Sequence, residues 1–384
     1  MEISVVSRRS HRHVPLARTF LALLVLTLCA AVRAQTTTVS CYCALDSEHS
    51  MEILQEFERK TGIRIQYNMD TEDNKTIGLV NKLISERSNP RCDVFWNNEL
   101  AHTIRLKKLG ILEPYVSPMA ADIPAAYKDK EGYWTGFAAR GRVLIYNTTM
   151  VQGELPKGLE SLLDPVWNGR ATMAKPVTGT TMTHVAALFS VWGETKTKEW
   201  LSKLQKSPIY WNRGNAQVMR DVAEGARAWG YTDTDDAYVA EIRGAKTAVV
   251  IPDQGEGALG TLIIPNSVAV IRGSKNLESA KKLVDYILSP LVEAKLAAGR
   301  SAQIPLHPGV PAPAHVLSLE KTRIMKVDWE AVAEALEKHG PYLNDLFEGA
   351  VEKPGAKTTT AVVVALVVLG LVIVIALGRK TSVR

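Results

Sequence analysis

The strongest constraint on the fold is a regular alternation of short apolar runs with amphipathic stretches near the start of the chain. These patterns predict strands over residues 38–44, 63–67 and 93–96, and helices over residues 47–61, 75–87 and 99–109. Strands that alternate with helices predict an α/β fold, in which a parallel sheet carries helices on both faces. Ligands of such sheets bind beyond the carboxyl ends of the strands.

Oxygen-bearing side chains follow two of the predicted strands. Asp46 comes just after the first strand, and Asn98 and Glu99 come just after the third. We expect these side chains at the ligand-binding edge of the sheet, where their oxygens suit a cation. The alternative is that Asp46 and Glu99 only begin the helices that follow, where a negative charge interacts favourably with the helix dipole.

Three carboxylates lie within four residues, at Asp233, Asp235 and Asp236. The residues before them predict a short strand that ends in a turn before a helix. One interpretation is capping, because Asp and Thr oxygens accept hydrogen bonds from the free N–H groups of a helix start. The other is a site for a cation or an amine, because clustered carboxylates repel each other unless a positive charge neutralises them.

A second group of residues favours contact with an anion. Arg140 and Arg142 share one face of an extended segment, where they could hold an anion or pair with carboxylates. A surface ion pair of little energetic value is the alternative. Thr180, Thr181 and Asn215 stand at the starts of predicted helices, where hydroxyls and free N–H groups can bind an anion. Capping of those helices is the alternative.

The two ends of the chain predict export and anchoring. Residues 1–34 combine a basic front, an apolar run and small residues at the usual cleavage spacing, which is typical of a signal peptide; an uncleaved anchor is the alternative. Residues 361–378 are wholly apolar, and at about 1.5 Å per residue they just span a hydrocarbon core of about 30 Å. Basic residues follow, so the main body is expected outside the cytoplasm; a buried core helix is the alternative.

Size and charge limit what the main body can be. The roughly 320 residues between the two ends exceed the usual size of one hydrophobic core, so two lobes are expected. The net charge of +6 comes mostly from the ends, and no basic stripe predicts nucleic-acid binding. The sequence contains no nucleophile–base motif and no zinc-ligand spacing, so we do not expect an enzyme.

Three cysteines remain after the predicted signal, at Cys41, Cys43 and Cys92. Cys41 and Cys43 share one face of a predicted strand. If the strand after Cys92 is a neighbour, one disulfide and one odd thiol could form in an oxidising compartment. A Cys-x-Cys metal or redox pair and a set of three buried free thiols are equally open alternatives.

Several motifs are spread over about residues 39–313. They are Phe57-Glu58-Arg59-Lys60-Thr61-Gly62-Ile63, Asp93-Val94-Phe95, Gly136-Phe137 with Arg140, Arg142, Tyr146 and Asn147, Lys175-Pro176 with Gly179-Thr180-Thr181, and Ser274-Lys275-Asn276 with Ile304-Pro305 and Pro308-Gly309-Val310. Their order resembles that of a periplasmic solute-binding protein of an ABC importer, in the ferric-iron-binding branch of the extracellular solute-binding family. The resemblance implies two α/β lobes that are joined by crossing hinge strands, close over a ligand and are then recognised by a membrane permease.

This resemblance also divides the chain. The implied parts are a signal peptide at 1–34, the first part of lobe 1 at 35–140, lobe 2 at 141–260, a return to lobe 1 at 261–313, C-terminal helices and a linker at 314–356, and a transmembrane anchor at 361–378. The expected location is therefore the periplasm, with the body tethered to the cytoplasmic membrane.

The ligand set that the resemblance implies consists of oxygen donors. Iron-binding relatives typically use a His or an acid early in the chain, an oxygen donor after the Asp-Val-Phe strand and a Tyr-Tyr pair in the second lobe. The residues at these places are Asp46, Asn98 or Glu99, and Asp235 with Asp236. The implied contacts of an accompanying anion or other ligand are Arg140, Thr180, Thr181, Asn215 and Asp233. These donors suit hard cations, so ferric iron, Mn²⁺ or Ca²⁺ with a synergistic anion is predicted.

Other functions remain open at this point. The same carboxylates suit an organic amine or a polyamine, and the helix starts suit a phosphonate. A membrane-anchored sensor domain that reuses the fold is an alternative of another class, because a fold alone does not determine function.

Overall fold

The computed structural model describes residues 37–69 and 77–349. The predicted signal peptide at 1–34 and the predicted anchor at 361–378 lie outside these ranges. Within the two described ranges, none of the helices combines the length and the apolar character needed to cross a bilayer.

The described chain alternates strands and helices, as the sequence predicts. The strands are β1 (Thr38–Cys43), β2 (Arg64–Met69), β3 (Val94–Asn97), β4 (Leu112–Glu113), β5 (Thr135–Asn147), β6 (Ala171–Ala174), β7 (Tyr210–Asn212), β8 (Trp229–Asp233), β9 (Thr247–Val250) and β10 (Ile263–Ile271). The helices are α1 (Ser47–Thr61), α2 (Ile77–Ser85), α3 (Leu100–Lys108), α4 (Gly179–Trp192), α5 (Glu194–Lys206), α6 (Asn215–Ala223), α7 (Thr234–Ile242), α8 (Leu277–Ile287), α9 (Pro290–Ala298) and α10 (Trp329–Glu348).

The strands form two parallel groups. In the first lobe β1 lies between β2 and β3 and runs parallel to both, and in the second lobe β6 lies between β7 and β8 and runs parallel to both. Parallel neighbours need crossover connections, which the intervening helices supply. Ligand-binding edges are therefore expected at the carboxyl ends of both groups.

A single strand, β5, passes from one lobe to the other. Its first half pairs antiparallel with β10, and its second half pairs antiparallel with β8 and β9. The pattern of residues 131–147 predicts two strands and a crossing between the lobes. The structure instead has one strand of 13 residues here. The backbone stays extended while its partners change between Gly141 and Arg142, and an apolar pattern does not reveal such a change of partner.

A second strand, β10, returns the chain to the first lobe. The apolar pattern predicts two strands here, at residues 261–264 and 267–271. In the structure β10 is continuous, and its register with β5 shifts between Pro265 and Asn266. The register skips Ala138, which has a left-handed φ of 38°. Such a bulge bends the strand and increases its twist. The distortion therefore lies where the two lobes join.

The last helix, α10, contacts both lobes. The amphipathic pattern predicts a helix near residues 329–338, but α10 continues to Glu348 and contains Pro341. It packs against α4 of the second lobe and α3 of the first lobe. His339 stacks on Phe189 with ring centroids 3.8 Å apart, and Lys108 Nζ lies 2.9 Å from Glu334 Oε1. These tertiary contacts support a helix longer than the local pattern predicts.

The three cysteines are free, buried thiols, which is the third of the alternatives that the sequence left open. Cys41 and Cys43 pack in one apolar cluster, whereas Cys92 packs in another. Burial is the main cause that raises the pKa of Cys41 and of Cys92, and it raises that of Cys43 to about 12. Thiols of this kind are protonated at neutral pH and act as small apolar side chains.

Candidate metal-binding site between the lobes

The three aspartates of the acidic cluster lie where β8 ends and α7 begins. Asp233 closes β8 and is the N-cap residue of α7, and Asp235 and Asp236 occupy the first turn of that helix. One oxygen of each carboxylate lies within 4.8 Å of the others. The Asp233 side chain makes no capping hydrogen bond, so capping does not explain its position.

Asp233 is held by a set of buried donors. Its Oδ1 accepts a hydrogen bond from Arg142 Nη1 at 2.6 Å. Its Oδ2 accepts from Thr180 Oγ1 at 2.6 Å and from Asn215 Nδ2 at 2.9 Å. The Arg142 guanidinium also donates to the Thr180 and Thr181 hydroxyls. Of the residues predicted to contact an anion, Thr180, Thr181 and Asn215 therefore contact Asp233, Arg142 or one another.

Arg142 itself is fully buried, and its guanidinium lies 5.2 Å from the Tyr231 ring centroid. The expectation of a weak surface ion pair is therefore wrong for this arginine. Removal of one partner of a buried ion pair strongly lowers the stability of the protein, because the remaining charge is left uncompensated in a medium of low polarity.

Arg140 connects the acidic cluster to the first lobe. Its Nη1 donates to Asp235 Oδ2 at 3.3 Å, and its Nη2 donates to the Asn98 carbonyl at 2.9 Å. The same Nη2 lies 3.8 Å from Glu99 Oε1. A positive charge thus lies between carboxylates that belong to different lobes.

Glu99 makes a direct hydrogen bond between the lobes. It precedes α3, is 2% exposed, and its Oε2 accepts from Thr183 Oγ1 at 2.6 Å. Thr183 belongs to α4 of the second lobe. Glu99 is the N-cap residue of α3, but its side chain makes no capping hydrogen bond to that helix.

Three carboxylates of the site, those of Glu99, Asp235 and Asp236, have a pKa raised above the ordinary value. Burial raises the pKa of Glu99 to about 7, although Arg140 and the Thr183 hydroxyl oppose the shift. Burial also raises the pKa of Asp235 and of Asp236, and the negative charge of Asp233 raises both further. A cation that enters the site would take the place of these protons.

The other predicted ligands are Asp46 and Asn98. Asp46 is exposed and precedes α1, and its side chain makes no capping bond. Asn98 is buried and contributes its backbone carbonyl to Arg140. Two tyrosines lie close to the acidic cluster in the sequence, and both pack against histidine rings. Tyr231 packs against the His184 ring, and Tyr238 stacks on the His315 ring.

Two residues of the site were not expected. The sequence pattern predicts that residues 175–184 lead into a helix over residues 185–192, which leaves Thr183 before that helix. In the structure α4 begins at Gly179 and includes Thr183. Thr180 and Thr183 are three residues apart, so an earlier helix start would have placed both on one face. His49, in the first turn of α1, lies close enough for its charge to lower the pKa of Asp235. Its position just after β1 is the signal that could have located it.

Two α/β lobes, crossing strands and a polar site between the lobes define a solute-binding protein of the two-lobed class. The model of the family described as "Bacterial extracellular solute-binding protein" matches residues 52–322, and the chain belongs to that family.

Similar proteins place the chain in the branch that contains the ferric iron-binding proteins. It is 26% identical over 303 residues to "Iron uptake protein A1" of Synechocystis, covering 76% of this chain and 80% of that protein. It is 25% identical over 322 residues to "Major ferric iron-binding protein" of Neisseria meningitidis serogroup A, covering 80% and 93%. The crystal structure of iron-bound HitA from Pseudomonas aeruginosa shares the fold, with a TM-score of 0.72, 24% identity and coverage of 81% and 99%.

Proposed function

We propose that this protein is the extracytoplasmic binding component of an ABC importer and captures a hard cation, with ferric iron the foremost candidate. One observation carries the proposal: three aspartate oxygens lie within 4.8 Å of one another, and Arg140 links Asp235 of this cluster to the buried Glu99 of the opposite lobe. Carboxylates so close together favour a bound cation, because its charge offsets their repulsion. Capture would hold the lobes closed, and no bond would be made or broken.

The charges of the site support a cation. Four carboxylates (Glu99, Asp233, Asp235 and Asp236) face the guanidinium groups of Arg140 and Arg142. When all are ionised, two negative charges remain unbalanced. A di- or trivalent cation would balance them and bind the oxygen donors that such ions prefer.

The chemistry of the donors widens the range of candidate ions. Asp235 and Asp236 stand where the resemblance implies a tyrosine pair, and carboxylates serve Mn²⁺ or Ca²⁺ as well as ferric iron. For the same reason an organic amine or polyamine is the second candidate ligand. A phosphonate has less support, since Thr180 and Asn215 already donate to Asp233.

Membrane attachment forms part of this proposal. Residues 361–378 would anchor the body in the cytoplasmic membrane, after export directed by residues 1–34. A tether raises the effective concentration of a binding protein at its permease without adding any contact. A sensor that reuses the fold would need no such permease, so association of the purified chain with an importer would favour the transport role.

The experiment that tests the proposal is a thermal melt of the full chain in mild detergent. Fe³⁺ supplied as its nitrilotriacetate chelate, Mn²⁺, Ca²⁺, spermidine and methylphosphonate would each be added, because a ligand of the folded state raises the melting temperature Tm. We expect a rise with a metal and no rise in the double variant Asp235→Ala, Asp236→Ala. An equal rise in that variant would exclude the acidic cluster as the binding site.

The exposed pair Glu278 and Glu320 provides a matched control for the loss of two negative charges. The double variant Glu278→Ala, Glu320→Ala should keep the full response to metal. A response only to spermidine would replace the metal by an amine, and a response only to methylphosphonate would contradict a cation site.

A further inference from the structure

The contacts of Asp233 differ from those of the other two aspartates in the cluster. Its two oxygens accept three hydrogen bonds, from Arg142, Thr180 and Asn215. Thr180 belongs to the first turn of α4 and Asn215 to the first turn of α6. Such helix starts, together with a buried guanidinium, are the donors that proteins use to bind a free anion.

These donors are directed to one another and to Asp233. Thr180 Oγ1 accepts from Arg142 Nη1 at 3.1 Å and from Asn215 Nδ2 at 2.7 Å. Thr181 Oγ1 accepts from Arg142 Nη2 and donates to Asn215 Oδ1. Arg142, Thr180 and Thr181 are each at most 3% exposed. An external anion could enter this set of donors only by displacing the Asp233 carboxylate.

Asp233 also belongs to the acidic cluster. One of its oxygens lies within 4.8 Å of an oxygen of Asp235 and of Asp236. A carboxylate has about four acceptor positions, and three are used here, so one remains for a cation. Asp233 can therefore be held by the protein on one side and contact a bound ion on the other.

We propose that the Asp233 carboxylate takes the place of a free anion, because it accepts the hydrogen bonds of Arg142, Thr180 and Asn215. Binding of a cation would therefore need no small anion bound to these three residues. This inference rests on the proposed function, because it assigns a role to Asp233 in cation binding. If Asp233 were replaced by a shorter residue, Arg142, Thr180 and Asn215 would bind a small carboxylate or another oxyanion. An accompanying anion in the intact protein would contact the ion from another side.

The test is chemical rescue of Asp233→Ala in the full chain, purified in mild detergent. Removal of the carboxylate leaves the buried Arg142 without its charged partner and makes room for one formate ion. We expect formate to raise the Tm of this variant by a few °C relative to equal chloride, and to leave the wild-type Tm unchanged. Asp221→Ala is the matched control, because Asp221 accepts hydrogen bonds from Asn212 and Gln217 at α6 and should give no response to formate.

Metal loading provides the second measurement. Wild-type protein in buffer free of phosphate and bicarbonate would be loaded from ferric nitrilotriacetate, and native mass spectrometry would count the ions and anions bound. We expect metal without phosphate in the wild type, and restoration of at least tenfold tighter metal binding by formate in Asp233→Ala. A wild-type protein that loads metal only when phosphate or bicarbonate is present would overturn the inference.

Two further outcomes separate this inference from the proposed function. If the wild type loads no metal but formate still stabilises Asp233→Ala, the donor set binds a carboxylate as inferred and the proposed cation ligand is wrong. If metal loads normally but formate stabilises neither Asp233→Ala nor Asp233→Ser, the inference is wrong and the proposed function stands. Asp233→Ser gives the same readout if the alanine variant does not fold, because serine leaves similar room and one hydroxyl for Thr180.

Discussion

Glu99 Oε2 accepts a hydrogen bond from Thr183 Oγ1 at 2.6 Å, and the two residues belong to different lobes. The same Glu99 lies 3.8 Å from the Arg140 guanidinium, which also contacts Asp235 of the second lobe. The lobes therefore contact each other through polar groups of the candidate site itself. Any ligand that enters the candidate site must replace or join these contacts, so we expect ligand binding to be coupled to closure of the lobes.

Replacement of Thr183 by valine should favour an open form of the empty protein. Valine has nearly the same shape but cannot donate, and a net hydrogen-bond contribution of about 1 kcal/mol corresponds to roughly a fivefold change in the open-to-closed ratio. Spin labels at the exposed positions Glu52 and Lys203, one on each lobe, would measure the distance between the lobes.

Thr197→Val is the control for Thr183→Val, because Thr197 donates to backbone carbonyls within the second lobe. It should lower stability without changing the distance between the lobes. Identical distance distributions in Thr183→Val and the wild type would contradict a role of this hydrogen bond in closure.

Stability of the empty protein should fall as pH rises towards 8. An acid whose folded-state pKa is raised binds its proton more tightly when folded, so its contribution declines from its unfolded pKa of about 4 up to the folded value. Glu99, with a folded pKa of about 7, and the aspartates 235 and 236 all act in this direction. A series of thermal melts between pH 5 and 8 would measure the decline, and it should be smaller in the variant Asp235→Asn, Asp236→Asn.

A bound cation should reverse that pH trend. Loading displaces the protons held by these carboxylates, so metal affinity should rise with pH over the same range, before hydrolysis of the metal sets a limit. Calorimetric titrations with Mn²⁺ in two buffers of different ionisation enthalpy would count the protons released. Zero released protons at pH 6.5 would contradict the raised pKa values.

Substitution of Arg140 by methionine should strengthen binding of a cation and weaken binding of an anion. The guanidinium lies beside Asp235 and Glu99, and its removal abolishes a repulsion of about 2 kcal/mol for a unit charge some 8 Å away at an effective dielectric constant of about 20. We expect at least a tenfold gain in Mn²⁺ affinity by titration calorimetry. Arg213→Met, at an exposed arginine of the same lobe, is the charge-matched control and should change affinity little.

The buried pair Glu293 and His307 should give the hinge a stability that is lost at both pH extremes. Glu293 accepts from the backbone N–H groups of Ala138, Leu306 and His307, and from the His307 ring at 2.8 Å. Burial alone would raise the pKa of Glu293 and lower that of His307. The hydrogen bonds outweigh burial, so the pKa of Glu293 is lowered and that of His307 is raised.

The sign of each pKa shift determines the pH range in which that residue contributes to stability. The contribution of Glu293 is present above its unfolded pKa of about 4.3 and disappears as pH falls through its folded value. The contribution of His307 is present below about 6.5 and disappears as pH rises through its raised folded value. Urea unfolding of Glu293→Gln should show a loss of about 3 kcal/mol, whereas Glu337→Gln on the exposed face of α10 should change little. Equal losses in the two variants would contradict a special role for Glu293.

Local sequence patterns were sufficient to predict an element whose start and end are both marked by characteristic residues. The bounds of α1 agree with the prediction because an amphipathic run ends at Gly62, whose φ of 70° suits a helix stop. The acidic cluster was visible because its three residues are close in the chain. The positions of Asp46, Asn98 and Glu99 beyond β1 and β3 follow from the rule for parallel sheets. Their roles as ligands remain predictions.

The sequence by itself therefore determined the α/β character of the chain, the order of its elements and a concentration of carboxylates at one strand end, since each depends on residues that are near neighbours. Tertiary structure decided the rest. It brought Asp233 into contact with Arg142, 91 positions away, and Glu99 into contact with Thr183, 84 positions away. It also made β5 one strand shared by both lobes and left the three thiols free. These outcomes depend on which distant groups share a buried volume, because a buried charge or donor must find its partner wherever the fold brings one within reach.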